Sequence, residues 1–518
     1  MIEVDLVLTP KEASDRDFYI KRAAAVAGLD FLRVSDWQIL KKSIDARGRD
    51  ILVNLKLGLY ADGEKCEDFS LKYVYGDVSD KPSVAVIGAG PAGLFAALRL
   101  IELGLRPIVF ERGKNVSQRR RDVAALNTKQ ILDPESNYCY GEGGAGTFSD
   151  GKLHTRSNKR GDIKRILEIF CLNGASPDIL YESKPHIGSD KLPRIVSSMR
   201  EKILASGGQV YFSTRIDDFN ISASKVNSVI TSDGREFPVQ AVILATGHSA
   251  EDVYEMLLRH NIQLQSKGFA MGVRVEHPRE LIDGIFYHGK NSEYLPAATY
   301  SLVTQVENRG VYSFCMCPGG QIVPSATVNG RNLVNGMSGS LRQNYWSNAG
   351  IVVEIRQEDI PGFETGNPLC GLKYQAEVER QCFINGGSSQ KAPAQRLTDF
   401  ISGKISSSLI ETSYVPGIVN SPVHFWLPEF ISNRLRKGFQ DFGKRMKGFV
   451  TDEAQIIAAE TRTSSPVRIV RDALLWNVPG VENLYPCGEG AGYAGGIVSS
   501  AMDGEKASEA AARYLGLK

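Results

Sequence analysis

The stretch Val84–Gly93, VAVIGAGPAG, restricts the fold more than any other part of this 518-residue chain. Val84–Ile87 is a short all-apolar run, the pattern of a parallel strand buried on both faces. Gly88-x-Gly90-x-x-Gly93 follows at once and opens a helix that runs to Leu103. A second apolar strand, Pro107–Phe110, completes a β-α-β unit and ends at Glu111, 18 residues after Gly93. The parts agree with one another, which turns a weak motif into a specific one. Gly88 allows the tight turn, Gly90 lets backbone approach a pyrophosphate at the helix N-terminus, and Gly93 allows close strand–helix packing. Ala89, Pro91 and Ala92 complete that loop. Glu111 is placed to accept hydrogen bonds from an adenosine ribose, and its carboxylate disfavours a 2′-phosphate, so the unit suits FAD or NAD rather than NADP.

The apolar run 84–105 is long enough to suggest a membrane span, but Arg99, Glu102 and the glycine/proline cluster inside it argue for a buried strand, turn and helix. Hydrophobic residues make up 42% and charged residues 23%, ordinary for a globular protein. The net charge of +2 supplies no strong field for nucleic acid or an anionic membrane, so stable nucleic-acid binding is not expected. The eight cysteines contain no CxxC, which speaks against a zinc ribbon, and no metal site is expected. The acidic start Met1-Ile-Glu-Val-Asp-Leu has no apolar h-region, so free thiols and a cytoplasmic location are expected.

The fold expected is α/β: a Rossmann-like dinucleotide-binding domain with an inserted α+β cap and a small N-terminal ferredoxin-like unit. Residues 1–80 form that unit, with a strand at Val4–Leu8, a helix over Ser14–Gly28 capped by Ser14, and strands at Leu32–Asp45 and Asp50–Tyr60. Residues 81–265 hold the first part of the nucleotide domain and 450–518 its return. Residues 266–449 change character and are read as the inserted cap.

Glycine accounts for 51 residues, above the usual share of about 7%, and bunches at 88–93, 141–151 and 488–496. Ala245-Thr246-Gly247 follows the strand-like Ala241–Leu244, and Gly488-Glu489-Gly490-Ala-Gly492 with Gly495-Gly496-Ile497 precedes a C-terminal helix. Taken with the first loop, these segments resemble the FAD domain of the glutathione-reductase-like flavoprotein superfamily. More closely, Glu111-Arg112-Gly113, the run 140–153, Ala245–Ala250 and Gly488–Ile497 resemble the family called FAD-dependent, or NAD(FAD)-utilising, dehydrogenases. The resemblance covers about 75–518, and residues 1–80 also fit it. Glu489 stands where the superfamily more often has aspartate.

The resemblance implies FAD as cofactor. Arg112, Gly143, Gly144, Thr147, Phe148, Ser149, Lys152, Ala245, Thr246, Gly247, Gly488, Glu489, Gly495, Gly496 and Ile497 would then join the first loop around it. Gly495-Gly496-Ile497 would bring a helix N-terminus to the flavin pyrimidine ring, where it stabilises the reduced anion. Gly141-x-Gly143-x-x-Gly146 repeats the glycine spacing without a strand before it, and is read as a flavin-contact loop. No second strand–GxGxxG–helix unit and no CxxxxC pair is present, which argues against a disulfide-reductase reaction.

Candidates for catalysis are Cys315 and Cys317, which alternate onto one face of a strand, and His154 and His248, which flank cofactor segments. For each, packing or plain hydrogen bonding is the competing explanation. Cys139 and the tyrosines at 138, 140 and 493 could sit near the flavin, Lys152 and Arg156 could bind an anion, and Arg119–Arg121 could approach the pyrophosphate. The leading function is an FAD-dependent oxidoreductase moving hydride between flavin and a small organic substrate, with NADH or NADPH as a transient electron donor. The alternatives are a flavin-dependent tRNA-modifying enzyme using a cap cysteine, for which the basic helix at 429–447 is the feature, and a flavin electron relay.

Overall fold

The computed structural model describes residues 1–155, 161–290 and 293–517. Among them, no helix is long and apolar enough to cross a membrane.

The N-terminal unit is a three-stranded antiparallel sheet in the order Ile2–Leu8, Leu52–Ala61, Val34–Asp45, the strand order of half a ferredoxin-like sheet. Ile2–Leu8 alternates outward with inward residues, so Val4, Leu6 and Leu8 meet Leu55, Leu57 and Leu59 and the helix residues Tyr19, Ile20, Ala23 and Ala24. The helix expected from Ser14 is divided in two, Pro10–Ser14 and Arg16–Val26. Asp15, not Ser14, caps the second: its carboxylate accepts the Phe18 N–H at 3.0 Å. The Ser14 hydroxyl instead donates to the Lys11 carbonyl.

The nucleotide-type domain is built on a five-stranded sheet in the order Leu484–Pro486, Ala241–Leu244, Ser83–Ile87, Arg106–Phe110, Gln209–Tyr211, with every pair parallel. After their first residues, Ser83 and Arg106, its central strands are apolar and buried because both faces are covered. Helices Pro91–Glu102 and Ile497–Tyr514 pack together on one face. They approach so closely that a Cβ on Gly504 would stand 2.1 Å from the Ala92 carbonyl oxygen. On the opposite side lies an antiparallel meander, Ile216–Ser222, Lys225–Thr231 and Glu236–Pro238.

The middle of the chain forms a seven-stranded sheet, ordered Val303–Val306, Arg309–Cys317, Trp346–Ile355, Phe269–Pro278, Gln455–Glu460, Ala392–Arg396, Ile418–Asn420. Only the last pair is parallel. The amphipathic helix Glu429–Arg445 buries Ile431, Leu435, Phe439 and Phe442 against this sheet's apolar core. The cap boundary drawn at 449 falls too early. Gln455–Glu460 pairs with Phe269–Pro278 and Ala392–Arg396, and the chain rejoins the five-stranded sheet only at Leu484. An apolar strand reads the same whichever sheet it enters, so composition could not place it.

Candidate functional site

A cavity of about 390 Å³ opens at the carboxyl ends of the parallel strands, beside the helix that follows Gly90. Ligands of open α/β sheets bind at this position. Gly88 has φ +105°, and a Cβ there would lie 2.4 Å from the Ala245 carbonyl oxygen. A Cβ on Gly93 would lie 1.8 Å from the Gly88 carbonyl oxygen, so the strand–helix turn closes only with glycine at that position. Gly490 meets Gly247 in the same way, at 2.3 Å, which brings the second and third cofactor segments together. The helices starting after Gly90 and after Gly496 have no side-chain cap, and both capping glycines line the cavity. Their first-turn N–H groups and positive ends are available to an anionic ligand.

Glu111 is buried and lines the cavity. One carboxylate oxygen accepts the Ala89 N–H at 2.8 Å, and the other accepts the N–H groups of Gly113 and Gly141 at 2.9 Å each. One acid thus fixes the first glycine loop, its own strand end and the second glycine loop. Most of the predicted cofactor residues border this cavity: Gly88, Gly90, Pro91, Ala92, Arg112, Gly144, Ser149, Lys152, Ala245, Thr246, Gly247, Gly488, Glu489, Gly495 and Ile497.

Five predicted residues stand behind its wall. Ala89 accepts the Gly143 N–H at 2.8 Å, joining two loops through backbone. Thr147 donates to the Glu142 carbonyl, Phe148 packs against Tyr138, and Gly93 is spent on helix packing. Arg119 is also a correction. It is fully buried, and its guanidinium donates to the carbonyls of Asn137, Tyr138, Gly141 and Glu142 rather than facing the cavity. Burial lowers its pKa to about 10. Tyr140 lines the cavity and donates to the Ser249 carbonyl, whereas Tyr138 and Tyr493 lie outside the lining. Arg156 lies outside the described residues.

Of the catalytic candidates, His154, His248 and Cys315 line the cavity and Cys317 is buried behind it. His154 is exposed at the mouth. His248 Nδ1 lies 3.6 Å from the Glu489 carboxylate, and its Nε2 is buried without a hydrogen-bond partner.

Three site residues escaped the sequence reading. Arg462 lines the cavity from just past the Gln455–Glu460 strand and holds Glu379 in a two-pronged pair at 2.8 and 2.9 Å. Asp503 accepts the Gly488 N–H at 2.8 Å while paired with Arg471, and so anchors the third loop from inside the last helix. Arg274, fully buried, reaches the Cys315 carbonyl. Arg462 and Arg274 act across long sequence separations, and none of the three carries a local motif. The cations of the basic helix are tied locally: Arg434 and Lys437 both pair with Glu307, and Lys444 pairs with Asp441.

Comparison with known proteins gives three domain matches. Residues 83–122 match an FAD-binding domain, residues 268–463 an "FAD-dependent protein, C-terminal domain-like" family, and residues 1–60 a domain of unknown function. An uncharacterized protein of Clostridium beijerinckii is 40% identical over 497 residues, covering 92% of each chain. The chain belongs to that family of FAD-dependent flavoproteins. The flavoprotein is also 25% identical over 203 residues to the thiamine thiazole synthase of Aeropyrum pernix, covering 36% of this chain and 63% of that one. Among solved structures, a flavocytochrome c3 fumarate reductase aligns at 10% identity with a TM-score of 0.37, covering 84% and 78% of the two chains. Tetracycline destructase Tet(51) aligns at 12% and 0.33, covering 83% and 80%. FAD fits this site: two uncapped helix ends, a glycine turn closed to a Cβ at Gly88 and Gly93, and a buried acid at the strand end meet at one cavity.

Proposed function

We propose that the flavoprotein is an FAD-dependent oxidoreductase acting on a small organic substrate that enters between the five-stranded domain and the seven-stranded sheet. The carrying observation is that one cavity is walled on one side by the glycine loops and on the other by Phe314 and Cys315 of the second sheet and by Arg462 just past its Gln455–Glu460 strand. An electron relay needs an exposed flavin, and this wall favours a substrate enzyme over a relay. The paired cations of the basic helix give little support to tRNA as substrate.

The Gly88 loop and helix end would take the pyrophosphate, Glu111 the adenosine ribose, and the Gly488–Gly496 segment the ribityl and pyrimidine side, as in the glutathione-reductase-like layout. FAD supplies two-electron hydride chemistry when bound. The chain's own part is orientation and proton handling. The helix end at Gly496 favours negative charge beside it. His248, which lines the cavity with Glu489 3.6 Å from its Nδ1, is the residue to hold or pass a proton. Arg462, already neutralised by Glu379, orients more than it attracts.

The test is to purify the protein, record its visible spectrum, and add NADH or NADPH under anaerobic conditions. Flavin absorption that bleaches with one nucleotide supports a nicotinamide-fed reductase. Bound flavin that neither nucleotide bleaches turns the reading toward a dehydrogenase reduced by its own substrate. A colourless protein that takes up no FAD removes the proposal.

A further inference from the structure

Cys315 sits in an unusual piece of backbone. The register between Arg309–Cys317 and Trp346–Ile355 breaks after Phe314, where Phe314 faces Gly350 and Cys317 faces Asn348. Within this bulge Cys315 has φ +44°, in the left-handed region. A side chain pays about 1–2 kcal/mol to sit there, and such residues persist where their surroundings fix them. Arg274 is what fixes this one. Its Nη1 and Nη2 donate to the Cys315 carbonyl at 3.3 and 3.4 Å, and the same guanidinium is held by Glu460 at 2.6 Å and Asn348 at 2.5 Å.

The bulge turns the Cys315 side chain into the cavity shared by Gly90 and Gly496. Cys317 lies fully buried behind it, and its thiol donates to the Cys315 carbonyl at 3.3 Å. From the opposite wall, Lys152 of the second glycine loop brings Nζ to 3.8 Å from Cys315 Sγ. Asp150 stands 3.9 Å from that ammonium and Glu460 lies beyond Arg274, so two cations and two acids face the pair. The neighbouring Cys317 side chain, then Lys152 and Arg274, hold the Cys315 thiol well below the ordinary range against its burial, while Cys317 is pushed well above it by Cys315 and by burial. The contrast with other buried cysteines is plain: burial first, and then a nearby carboxylate, Glu379 or Asp503, drives Cys382 and Cys487 upward.

We propose that Cys315 and Cys317 form a dithiol–disulfide couple that exchanges two electrons with the flavin, with Cys315 as the cavity-facing sulfur and Cys317 as the sulfur behind it. This rests on the FAD reading above. In the oxidising direction an S–S bond forms between the Cys315 thiolate and Cys317, which gives up its S–H bond. The two electrons and that one proton pass to oxidised FAD, leaving the anionic two-electron-reduced form. The reverse breaks the S–S bond and returns a thiolate at Cys315 and a thiol at Cys317. An i, i+2 pair in a regular strand stands about 6.6–6.8 Å apart, at the upper edge of disulfide geometry, and the bulge gives this segment a different path.

The experiment uses the full chain loaded with FAD, oxidised with diamide, desalted, and titrated anaerobically with dithionite. Wild type is expected to consume four electrons per flavin before bleaching is complete, while Cys315→Ser and Cys317→Ser consume two. In parallel, tryptic peptide 310–331, which carries both cysteines and no other, should be lighter by two hydrogens after diamide, before any flavin is added. Lys152→Met should slow iodoacetamide labelling of Cys315 near neutral pH by about tenfold. Wild type that binds FAD yet consumes two electrons, with both thiols still open to alkylation, overturns the couple and leaves the FAD reading standing. Failure to take up FAD overturns both. If a serine variant does not fold, the wild-type electron count and peptide mass still decide.

Discussion

The two sheets solve the same problem of a dry interior with opposite means. The five-stranded parallel sheet excludes polar side chains from its centre and gains its precision from missing atoms: Gly88, Gly93, Gly490 and Gly504 each bring backbone where a Cβ would collide. The seven-stranded sheet buries charge. Arg274 and Glu460 sit on neighbouring strands, both at most 1% exposed, and Glu276 and His277 lie in the same sheet at 0%. A backbone that must approach a ligand is shaped by glycine. A wall that must hold a strained cysteine and present an arginine to the cavity needs buried hydrogen-bonded charge, whose removal costs more than its presence contributes.

The largest effect expected from breaking this contrast lies in the charged sheet. Glu460→Ala leaves Arg274 buried without its carboxylate and should lower unfolding stability by about 3–5 kcal/mol in urea denaturation. Burial already raises the Glu460 pKa to about 7, even beside Arg274. A loss no larger than that of an exposed substitution would show that Arg274 finds other partners. Next comes the glycine sheet. Gly93→Ala places a Cβ 1.8 Å from the Gly88 carbonyl oxygen and should cost about 3 kcal/mol together with most of the bound flavin. Retained flavin at wild-type stoichiometry would mean that the turn has slack.

A third prediction concerns pH. Burial lowers the His277 pKa to about 4, against about 6.5 when unfolded, and its Nε2 bonds the Phe449 carbonyl. A depressed pKa means that its contribution is complete above pH ~6.5 and is lost as pH falls toward ~4. The window is about 2.5 units at 1.36 kcal/mol per unit, so about 3 kcal/mol separates its two ends. Comparison of wild type with His277→Asn from pH 7.5 to 4.5 should show a shallower slope in the variant; parallel curves would remove histidine from the explanation. The smallest effect is at the junction of the loops. Glu111→Gln replaces one of two oxygens that accept the Ala89, Gly113 and Gly141 N–H groups, and should cost about 1–3 kcal/mol of stability and weaken flavin retention. Unchanged retention would confine Glu111 to holding the loops.

The first β-α-β unit was legible as structure because its parts are contiguous. Strand, glycines, helix and acid lie within Val84–Glu111, and each has one local reason for its residue type. The Ala245–Gly247 and Gly488–Gly496 segments were legible through resemblance, and they too line the cavity. Thr147 and Phe148 misled because a residue in a glycine-rich loop can point to either side, and these two point inward to Glu142 and Tyr138. Arg119 misled because three successive arginines suggest a phosphate, while only the fold shows one of them buried among four carbonyls.

The sequence by itself determined the first β-α-β unit, its glycine turn and a site suited to FAD or NAD, because those depend on spacing within a few dozen residues, and the resemblance narrowed the nucleotide to FAD. Tertiary structure alone decided which sheet Gln455–Glu460 joins, that Asp503 braces Gly488, and that Lys152 meets Cys315 from 163 positions away. Those contacts are set by how separate layers pack, and packing distance leaves no period or motif in the chain that makes it.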